Sequence, residues 1–512
     1  MKKWIVIIVV GAAAYTGFWW HCANDHRDRL VAHLEKWKAE HATSPFKFEY
    51  DAISIGGFPF YCNTLFHHPH VEFEHGSDSF RAELQGDIIV GARAWGDERF
   101  VEKKGEIRAF VKAHEQQLAF SGKTDLEIDF RNPIHNAKSF NVWLENLSVS
   151  RLYFNLNNGV LSIEANPGRS ITSIDALTFD FKHQFDGENG SKISLEAVVE
   201  GMELNEPFIA LSQLDPLNAE ILQHVGKINW SLSLASHLPS REEIDAFIKS
   251  PSLATMPRIT LDIPQATESS NIDRNKSSFH FSVAKAHDGQ EKIHVDLKHN
   301  GEIKEGYAQI INPALEKIHN EPGKTMEDSL VNGLLEVILP RVTHRLPLKS
   351  ALDVDFNGTY VKTDPSTYLS MTDDFKFSWN IDQWGGLDID GKVKQKGPHF
   401  EGSSHIAANH FDGMINSLTS IYNAYFKRVI EIEKKFRKDK EVEPVSFELT
   451  KKQIETIRSF IKQFSTNPDK AGERFETTLS IEQDKVMIGN KNQEEAVALW
   501  QRFLKDMDEK AK

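Results

Sequence analysis

The dominant hydrophobic pattern of the chain is an alternation of apolar and polar residues with a period of two. Leu177, Phe179 and Phe181, for example, are separated by polar residues. The same alternation recurs at residues 193–199, 259–263, 279–283, 293–297, 352–356, 375–381 and 387–393. It is typical of strands with one apolar and one polar face, as in antiparallel sheets. We therefore predict more than a dozen strands.

Asn-Gly pairs between apolar runs predict turns that separate some of these strands. The clearest are Asn157-Asn158-Gly159, Asn300-Gly301 and Asn357-Gly358. Asn and Gly tolerate the positive φ that tight hairpin turns require. Each of the three sites is therefore predicted to connect two strands.

Helical periodicity appears in several segments, mostly in the last third of the chain. We predict helices at 326–339 (ended by Pro340), 411–438, 450–464 (begun by a Thr450/Gln453 capping box) and 493–508. A capping box at Ser240 and Glu243 predicts a further short helix. The prediction is thus a β-rich domain at 46–410, followed by a helical region with a terminal hairpin, 411–512, that packs on the sheet.

The N-terminal run at 4–20, WIVIIVVGAAAYTGFWW, contains no charged residue. At about 1.5 Å per residue it would span roughly 25 Å, near the short limit for crossing a bilayer. Lys2 and Lys3 precede it, which predicts a cytoplasmic tip at 1–3 and an uncleaved transmembrane signal anchor at 4–20. The alternative is a signal peptide cleaved near Ala12-Ala13-Ala14. A juxtamembrane helix is predicted at 24–41.

Together these patterns predict an α+β, β-rich fold. An N-terminal transmembrane helix leads into a large antiparallel twisted sheet, arranged as a half-barrel, sandwich or groove. Helices pack on the sheet, and the longest lies near the C-terminus.

The charge and cysteine content narrow the possible partners. The formal net charge is −14, which argues against nucleic-acid binding, because that affinity depends on Lys and Arg neutralising phosphates. The chain has two cysteines, Cys22 and Cys62. Their spacing leaves both a disulfide and two free thiols open, since pairing depends on geometry.

No established catalytic motif occurs in the sequence, and we expect a protein that is not an enzyme and needs no cofactor. The strongest candidate for metal chemistry is the group His68, His70, Glu72 and Glu74. In an extended segment these side chains would share one face, and imidazoles with carboxylates suit Zn²⁺. The alternative is a polar, solvated strand face, which we prefer.

The segment Gly56-Gly57-Phe58-Pro59-Phe60 follows an alternating strand. The glycines permit positive φ and the proline fixes its own φ, so the chain is expected to turn sharply and present two aromatic rings. One interpretation is a hydrophobic plug at the start of the sheet. The other is an aromatic contact with lipid or a partner near the membrane.

This N-terminal arrangement resembles the domain-of-unknown-function 2125 family of bacterial envelope proteins. The resemblance depends on Trp19, Trp20, Trp37 and the Gly57–Phe60 motif, with Leu65 and Pro69 following. A weaker similarity, in the strand–turn–strand of residues 479–489, is to AsmA-like and YdgA-like envelope proteins. These resemblances imply a single-pass protein of the bacterial inner membrane with the bulk of the chain in the periplasm. They imply no catalytic residue.

Three functional hypotheses follow. The first is a membrane-anchored envelope protein that binds lipid or a lipid-like ligand in a β-groove and supports envelope biogenesis, because unpaired apolar sheet faces need a cover. The weaker family similarity, to proteins associated with lipid homeostasis and outer-membrane assembly, points the same way. The second is a structural scaffold with a closed core that contacts other envelope proteins. The third is an enzyme acting on envelope glycan or lipid.

Overall fold

The computed structural model describes most of the chain. The described residues are 2–40, 44–75, 78–93, 99–113, 116–130, 149–163, 166–185, 191–205, 225–239, 241–249, 258–285, 290–320, 325–361, 370–382, 384–396, 399–436, 449–467, 472–482 and 485–511. The chain divides into two units, Met1–Leu238 and Pro239–Lys512. Within each unit the described strands pair antiparallel, which confirms the β-rich antiparallel prediction.

Unit 1 contains twelve described strands, of which the later ones are long. Their bounds are β1 (Phe46–Glu49), β2 (Ala52–Gly56), β3 (Tyr61–His67), β4 (His70–His75), β5 (Asp78–Leu84), β6 (Ile88–Arg93), β7 (Arg99–Ala113), β8 (Gln116–Phe130), β9 (Val149–Ile163), β10 (Asn166–Phe185), β11 (Ser191–Leu204) and β12 (Ile228–Leu238). From β7 to β12 each strand pairs with the next in the chain, so these six form a meander.

Unit 2 contains ten described strands. These are β13 (Ile259–Ser269), β14 (Asp273–Lys285), β15 (Gln290–Ile303), β16 (Leu348–Val361), β17 (Ser370–Ile381), β18 (Gly385–Lys396), β19 (His399–Asn409), β20 (Arg474–Glu482), β21 (Lys485–Ile488) and β22 (Lys491–Asn492). Consecutive strands are again antiparallel neighbours from β13 to β22.

Seven helices lie in the described part of the chain. They are α1 (Lys2–Glu40), α2 (Arg241–Lys249), α3 (Tyr307–Asn320), α4 (Met326–Thr343), α5 (Phe411–Phe436), α6 (Lys451–Lys462) and α7 (Gln493–Ala511). Helix α5 is the predicted long helix near the C-terminus. Helix α6 begins at the predicted capping box, in which Gln453 N donates to Thr450 Oγ1 and Thr450 N to Gln453 Oε1.

The N-terminal segment forms a single helix, α1, which runs through both the predicted transmembrane segment 4–20 and the predicted juxtamembrane helix as far as Glu40. Asn24, at the predicted start of the juxtamembrane helix, donates its side-chain amide to Trp20 O within the continuous helix. Among the described residues, no helix combines the length and the hydropathy needed to span a bilayer. The predicted transmembrane segment 4–20 lies partly outside this description, since the side chains of residues 1–10 are not described.

All three turns predicted from Asn-Gly pairs are wrong. Strand β9 continues through Asn158, which has φ of +52° and marks a register shift in the pairing with β8. Asn300-Gly301 and Asn357-Gly358 also lie inside strands. At Gly358 the difference has a packing reason: a Cβ there would lie 2.8 Å from the ring of Tyr360, so a larger residue would displace that ring.

Two further differences concern helices. Helix α4 continues to Thr343 and includes Pro340, which was expected to end it. Proline lacks an N–H, but in the last turn of a helix this removes only one hydrogen bond. Helix α3 was not predicted at all, and it contains Pro313, which weakens the helical signal of the sequence. The Ser240 half of the other expected capping box lies outside the described residues.

Strand β7 pairs with two different strands along its length, and a glycine marks the change. Residues 99–103 pair with β6, and residues 107–112 pair with β5. Between them Gly105 has φ of +126°, and a Cβ at this position would lie 2.3 Å from Gln85 O. Positive φ and this close approach both exclude a side chain.

The clearest core in unit 2 lies where α5 and α6 meet β18–β20. Ala408, Phe411, Ile415 and Phe475 are buried there, and the rings of Phe411 and Phe475 stack at 5.1 Å between centroids. Side chains that pack around this core are Leu387, Met414, Ile454, Ile461 and Phe464. Helices therefore cover one end of the unit 2 sheet.

Candidate functional site

Unit 1 carries a continuous apolar surface on one face of β9–β12. Phe179 on β10 is opposite Phe154 on β9 and Ala197 on β11, and Ala197 is opposite Leu232 on β12. The neighbouring cross-strand rows, which contain Leu177 and Phe181, are also apolar. We define the apolar face of unit 1 as Leu152, Phe154, Leu156, Leu177, Phe179, Phe181, Leu195, Ala197, Val199, Trp230, Leu232 and Leu234.

This face is only partly covered. Strand β10 is paired on both edges, so Phe179 lies in the interior of the sheet, yet its side chain is only half-buried. Within the set, Leu156 and Ala197 are buried, whereas Trp230 is 37% exposed. In a closed sandwich such central side chains would be covered by a second layer. The apolar face of unit 1 therefore retains surface that a ligand can cover.

Unit 2 has a surface of the same kind on β13–β18. Phe377 on β17 is opposite Val354 on β16 and Ile389 on β18, and Val354 is opposite Leu297 on β15. All four side chains are half-buried. The apolar face of unit 2 comprises Leu261, Ile263, Phe279, Phe281, Val295, Leu297, Val354, Phe356, Phe375, Phe377 and Ile389.

The opposite face of the unit 2 sheet is charged and internally paired. A shallow groove of about 400 Å³ is lined there by Asp374, Lys392 and His405 among others. Lys392 Nζ lies 2.9 Å from Asp374 Oδ1, and His405 Nδ1 lies 3.4 Å from Asp390 Oδ1. These partly exposed ion pairs are typical of a solvated sheet face, which makes the apolar faces the more informative surfaces.

A buried lysine lies at the margin of the apolar face of unit 1. Lys103 on β7 is opposite Leu126, so its side chain lies on the same side of the sheet as Phe154. It is only 3% exposed. Its Nζ donates to Thr124 Oγ1 at 2.9 Å and to the carbonyl oxygens of Gly105 and Glu106. Burial lowers the pKa of Lys103, and the nearby Asp125 carboxylate opposes that shift.

Sequence analysis missed Lys103 and Thr124, although a signal exists. In the alternation of β7, Lys103 occupies an apolar-side position between Val101 and Gly105. A lysine at such a position signals a buried cation whose hydrogen bonds must be supplied by the fold.

The motif Gly56–Phe60 forms the tight turn between β2 and β3. Gly57 has φ of +91°, and Tyr61 N donates to Gly57 O at 2.9 Å. Phe58 packs edge-on against Trp19 of α1, with 5.2 Å between ring centroids. The turn is thus fixed to the helix by an aromatic contact.

Despite this contact, the turn and the adjacent part of α1 expose four aromatic rings. Phe58 is 53% exposed, Phe60 62%, Trp20 60% and Phe18 44%. Exposed rings in such density are unusual for a solvated surface and are typical of interaction sites. We call these four residues the aromatic surface. Phe18 and Trp20 belong to the end of the uncharged run 4–20, and Phe58 and Phe60 belong to the turn.

The candidate metal ligands do not form one site. His68 is not in a strand but in the turn before β4, with φ of +46°, and its Nδ1 lies 3.2 Å from Asp51 Oδ2. His70 contacts Glu49 at 3.1 Å, and Glu72 lies 3.7 Å from Arg81. Glu74 continues along β4 opposite Ser79. In the described part of the chain, no group of three or more His, Cys, Asp or Glu side chains could hold a metal ion. His68 does not share the strand face of His70, Glu72 and Glu74, because the turn separates it from β4.

Comparisons of the chain with models of protein families, with curated proteins and with solved structures gave no match.

Proposed function

We propose that this protein binds the acyl chains of lipids on its open apolar sheet faces and thereby supports biogenesis of a bacterial envelope. The observation that carries the proposal is the half-buried state of apolar side chains in the interior of the sheet, such as Phe179 and Phe377. These positions are paired with strands on both sides, so only a ligand or another layer above the face can cover them.

The chemistry of the faces favours acyl chains over other ligands. The rows centred on Phe179 and Phe377 present aliphatic and aromatic side chains without an intervening polar group. A ligand that lies along them must itself lack polar groups over its length. Each methylene removed from water contributes about 0.8 kcal/mol, so a long acyl chain binds strongly without any hydrogen bond.

The aromatic surface supports a location at the membrane. Phe18 and Trp20 expose rings at the end of the uncharged segment 4–20, which Lys2 and Lys3 precede, and Phe58 and Phe60 expose rings on the turn that packs against α1. Aromatic rings favour the interface between lipid and water. We therefore propose that the N-terminal end of α1 is held at the bacterial inner membrane and that the sheet lies on the periplasmic side. Membership of the domain-of-unknown-function 2125 family remains a prediction.

The alternative of a scaffold with a closed core requires a cover for the apolar faces. Among the described helices, α1 packs on β2 and β3, and α5 and α7 contact β18, β21 and β22. Within unit 1, the described helix α1 packs on β2 and β3 and not on β9–β12. The lipid-binding hypothesis accounts for this surface directly.

A direct binding titration tests the proposal. Purified full chain is titrated with the fluorescent fatty acid cis-parinaric acid, and binding is followed by its emission. We expect Phe179→Gln to weaken binding in unit 1 and Phe377→Gln to weaken it in unit 2. The matched controls are Thr178→Gln and Lys376→Gln, which alter the opposite face of the same strands. Equal binding by all four variants, with unchanged circular dichroism, would overturn the proposal.

A further inference from the structure

Helix α1 and strand β3 run side by side in the same direction, and three hydrogen bonds fix their register. The Tyr15 hydroxyl donates to Pro59 O, and Trp19 Nε1 donates to Tyr61 O. Further along, His26 Nδ1 lies 3.1 Å from Thr64 Oγ1. Both segments belong to unit 1.

The two segments advance at matching rates between the second and third of these contacts. From Trp19 to His26 the helix rises roughly 10 Å, at about 1.5 Å per residue. From Tyr61 to Thr64, within β3, the extended chain covers roughly 10 Å, at about 3.3 Å per residue. A position on the helix can therefore be assigned to a position on the strand. Cys22, roughly 4.5 Å beyond Trp19, falls opposite Cys62, roughly 3.3 Å beyond Tyr61.

The direction of the side chains agrees with this register. At 3.6 residues per turn, Cys22 lies about 40° from the mean direction of Tyr15, Trp19 and His26, the helix face that contacts β3. On the strand, Cys62, Thr64 and Phe66 alternate with more exposed residues and point inward. Cys62 forms a buried cluster with Trp19 and Ala23, and Cys22 packs against that cluster.

The Cys22 thiol is more accessible to solvent than the Cys62 thiol. Cys62 is 3% exposed, whereas Cys22 is only half-buried. A disulfide-bearing oxidant can therefore reach Cys22 first and Cys62 only through it. Both cysteines are in the thiol form in this structure.

We propose that Cys22 and Cys62 form a disulfide that clamps α1 onto the sheet when the protein meets a disulfide oxidant, such as glutathione disulfide. The Cys22 thiolate attacks one sulfur of the oxidant and releases one reduced thiol. The Cys62 thiolate then attacks the Cys22 sulfur of this mixed disulfide and releases the second. In total, the two protein thiols give up two electrons and two protons, and the oxidant takes up both pairs as its disulfide is reduced to two thiols. This proposal is independent of lipid binding.

The test uses the reduced full chain, incubated with a mixture of oxidised and reduced glutathione. After acid quenching and alkylation of remaining thiols, proteolytic peptides are quantified by mass spectrometry. We expect a peptide that joins Cys22 to Cys62 within one molecule to be the main oxidised product. A glutathione adduct on Cys22 with Cys62 still alkylated, or a Cys22–Cys22 link between molecules, would overturn the proposal.

A matched control moves one cysteine along the same helix. In Cys22→Ala/Leu30→Cys the new thiol lies eight residues further on, about 12 Å along the helix axis. This exceeds the Cα separation of about 7 Å that a disulfide tolerates. We expect at least a tenfold loss of the internal link, with the adduct left at position 30. Equal linking in this control would show that the register does not determine pairing and would overturn the proposal.

Discussion

Lys103 Nζ donates a 2.9 Å hydrogen bond to Thr124 Oγ1, and both side chains are at least 95% buried at the margin of the apolar face of unit 1. The other acceptors of the ammonium group are the carbonyl oxygens of Gly105 and Glu106, so all its close hydrogen-bond partners are neutral. A buried cation in such surroundings is costly, and its acceptors become essential to the fold.

The first prediction concerns pH. Burial lowers the pKa of Lys103 in the folded protein below the 10.5 of an unfolded chain. Between these two values the unfolded state binds the additional proton, so the contribution of Lys103 to stability rises with pH. Below the lowered pKa the lysine is charged in both states, and the folded state bears the full cost of its burial.

We therefore compare urea unfolding of the wild type and Lys103→Met from pH 7 to 10. The free energy of unfolding of the wild type should rise relative to that of the variant as pH increases. Lys123→Met on the neighbouring strand, where the side chain is exposed, controls for the loss of a lysine. A difference between wild type and Lys103→Met that is flat or falls with pH would contradict the burial account.

The second prediction concerns the hydroxyl of Thr124. In Thr124→Val the shape is retained, but the buried ammonium loses one acceptor. The expected loss of stability is about 1–3 kcal/mol, measured by urea unfolding. Thr372→Val, at a half-buried position of β17, is the control and should cost much less. Similar losses in both variants would indicate a general effect of valine and not the loss of this hydrogen bond.

The third prediction concerns the point at which β7 changes partners. Gly105→Ala forces a Cβ to within 2.3 Å of Gln85 O at a φ of +126°. We expect destabilisation of about 1–3 kcal/mol or more, measured as a lower thermal midpoint. Gly413→Ala in α5 is the opposite case, because a Cβ there meets no atom within 4 Å. It should stabilise the helix by about 0.5–1 kcal/mol. Tolerance of alanine at Gly105 would argue against the described pairing.

The fourth prediction concerns the aromatic surface. The Phe60 side chain is 62% exposed. Its ring becomes buried only if the turn contacts a bilayer or a partner. We expect Phe60→Ser to weaken binding of the full chain to phosphatidylethanolamine–phosphatidylglycerol vesicles about fivefold, which corresponds to about 1 kcal/mol. The control is Phe400→Ser, which removes a ring of 41% exposure from β19. Equal vesicle affinity of both variants in a flotation assay would exclude the turn from the membrane contact.

The sequence predicted the local structure best where one pattern acted alone. The alternation of Leu177, Phe179 and Phe181 indicated a strand, and the Thr450/Gln453 pair indicated a helix start. Prediction failed where tertiary contacts decide. Gly358 resembles a turn residue in the sequence, but it makes room for the ring of Tyr360 in the middle of a strand.

For the candidate sites too, local patterns were predictable from the sequence and tertiary contacts were not. Alternation predicts that Phe179 has an apolar face, but only the pairing of β9–β12 shows that this face is continuous and partly uncovered. The sequence likewise leaves the pairing of Cys22 and Cys62 open, because their proximity depends on how α1 lies on β3. Positions that are distant in the chain meet only after the sheet has formed.

The most direct test of the lipid-binding account is mass spectrometry of lipids that co-purify with the full chain. Wild type and the double variant Phe179→Gln/Phe377→Gln are purified in parallel, with Thr178→Gln/Lys376→Gln as the matched control. The account predicts phospholipid in at least equimolar amount in the wild type and the control, and a severalfold loss in the double variant. A folded wild-type protein that carries no lipid, or equal lipid in all three proteins, would contradict it.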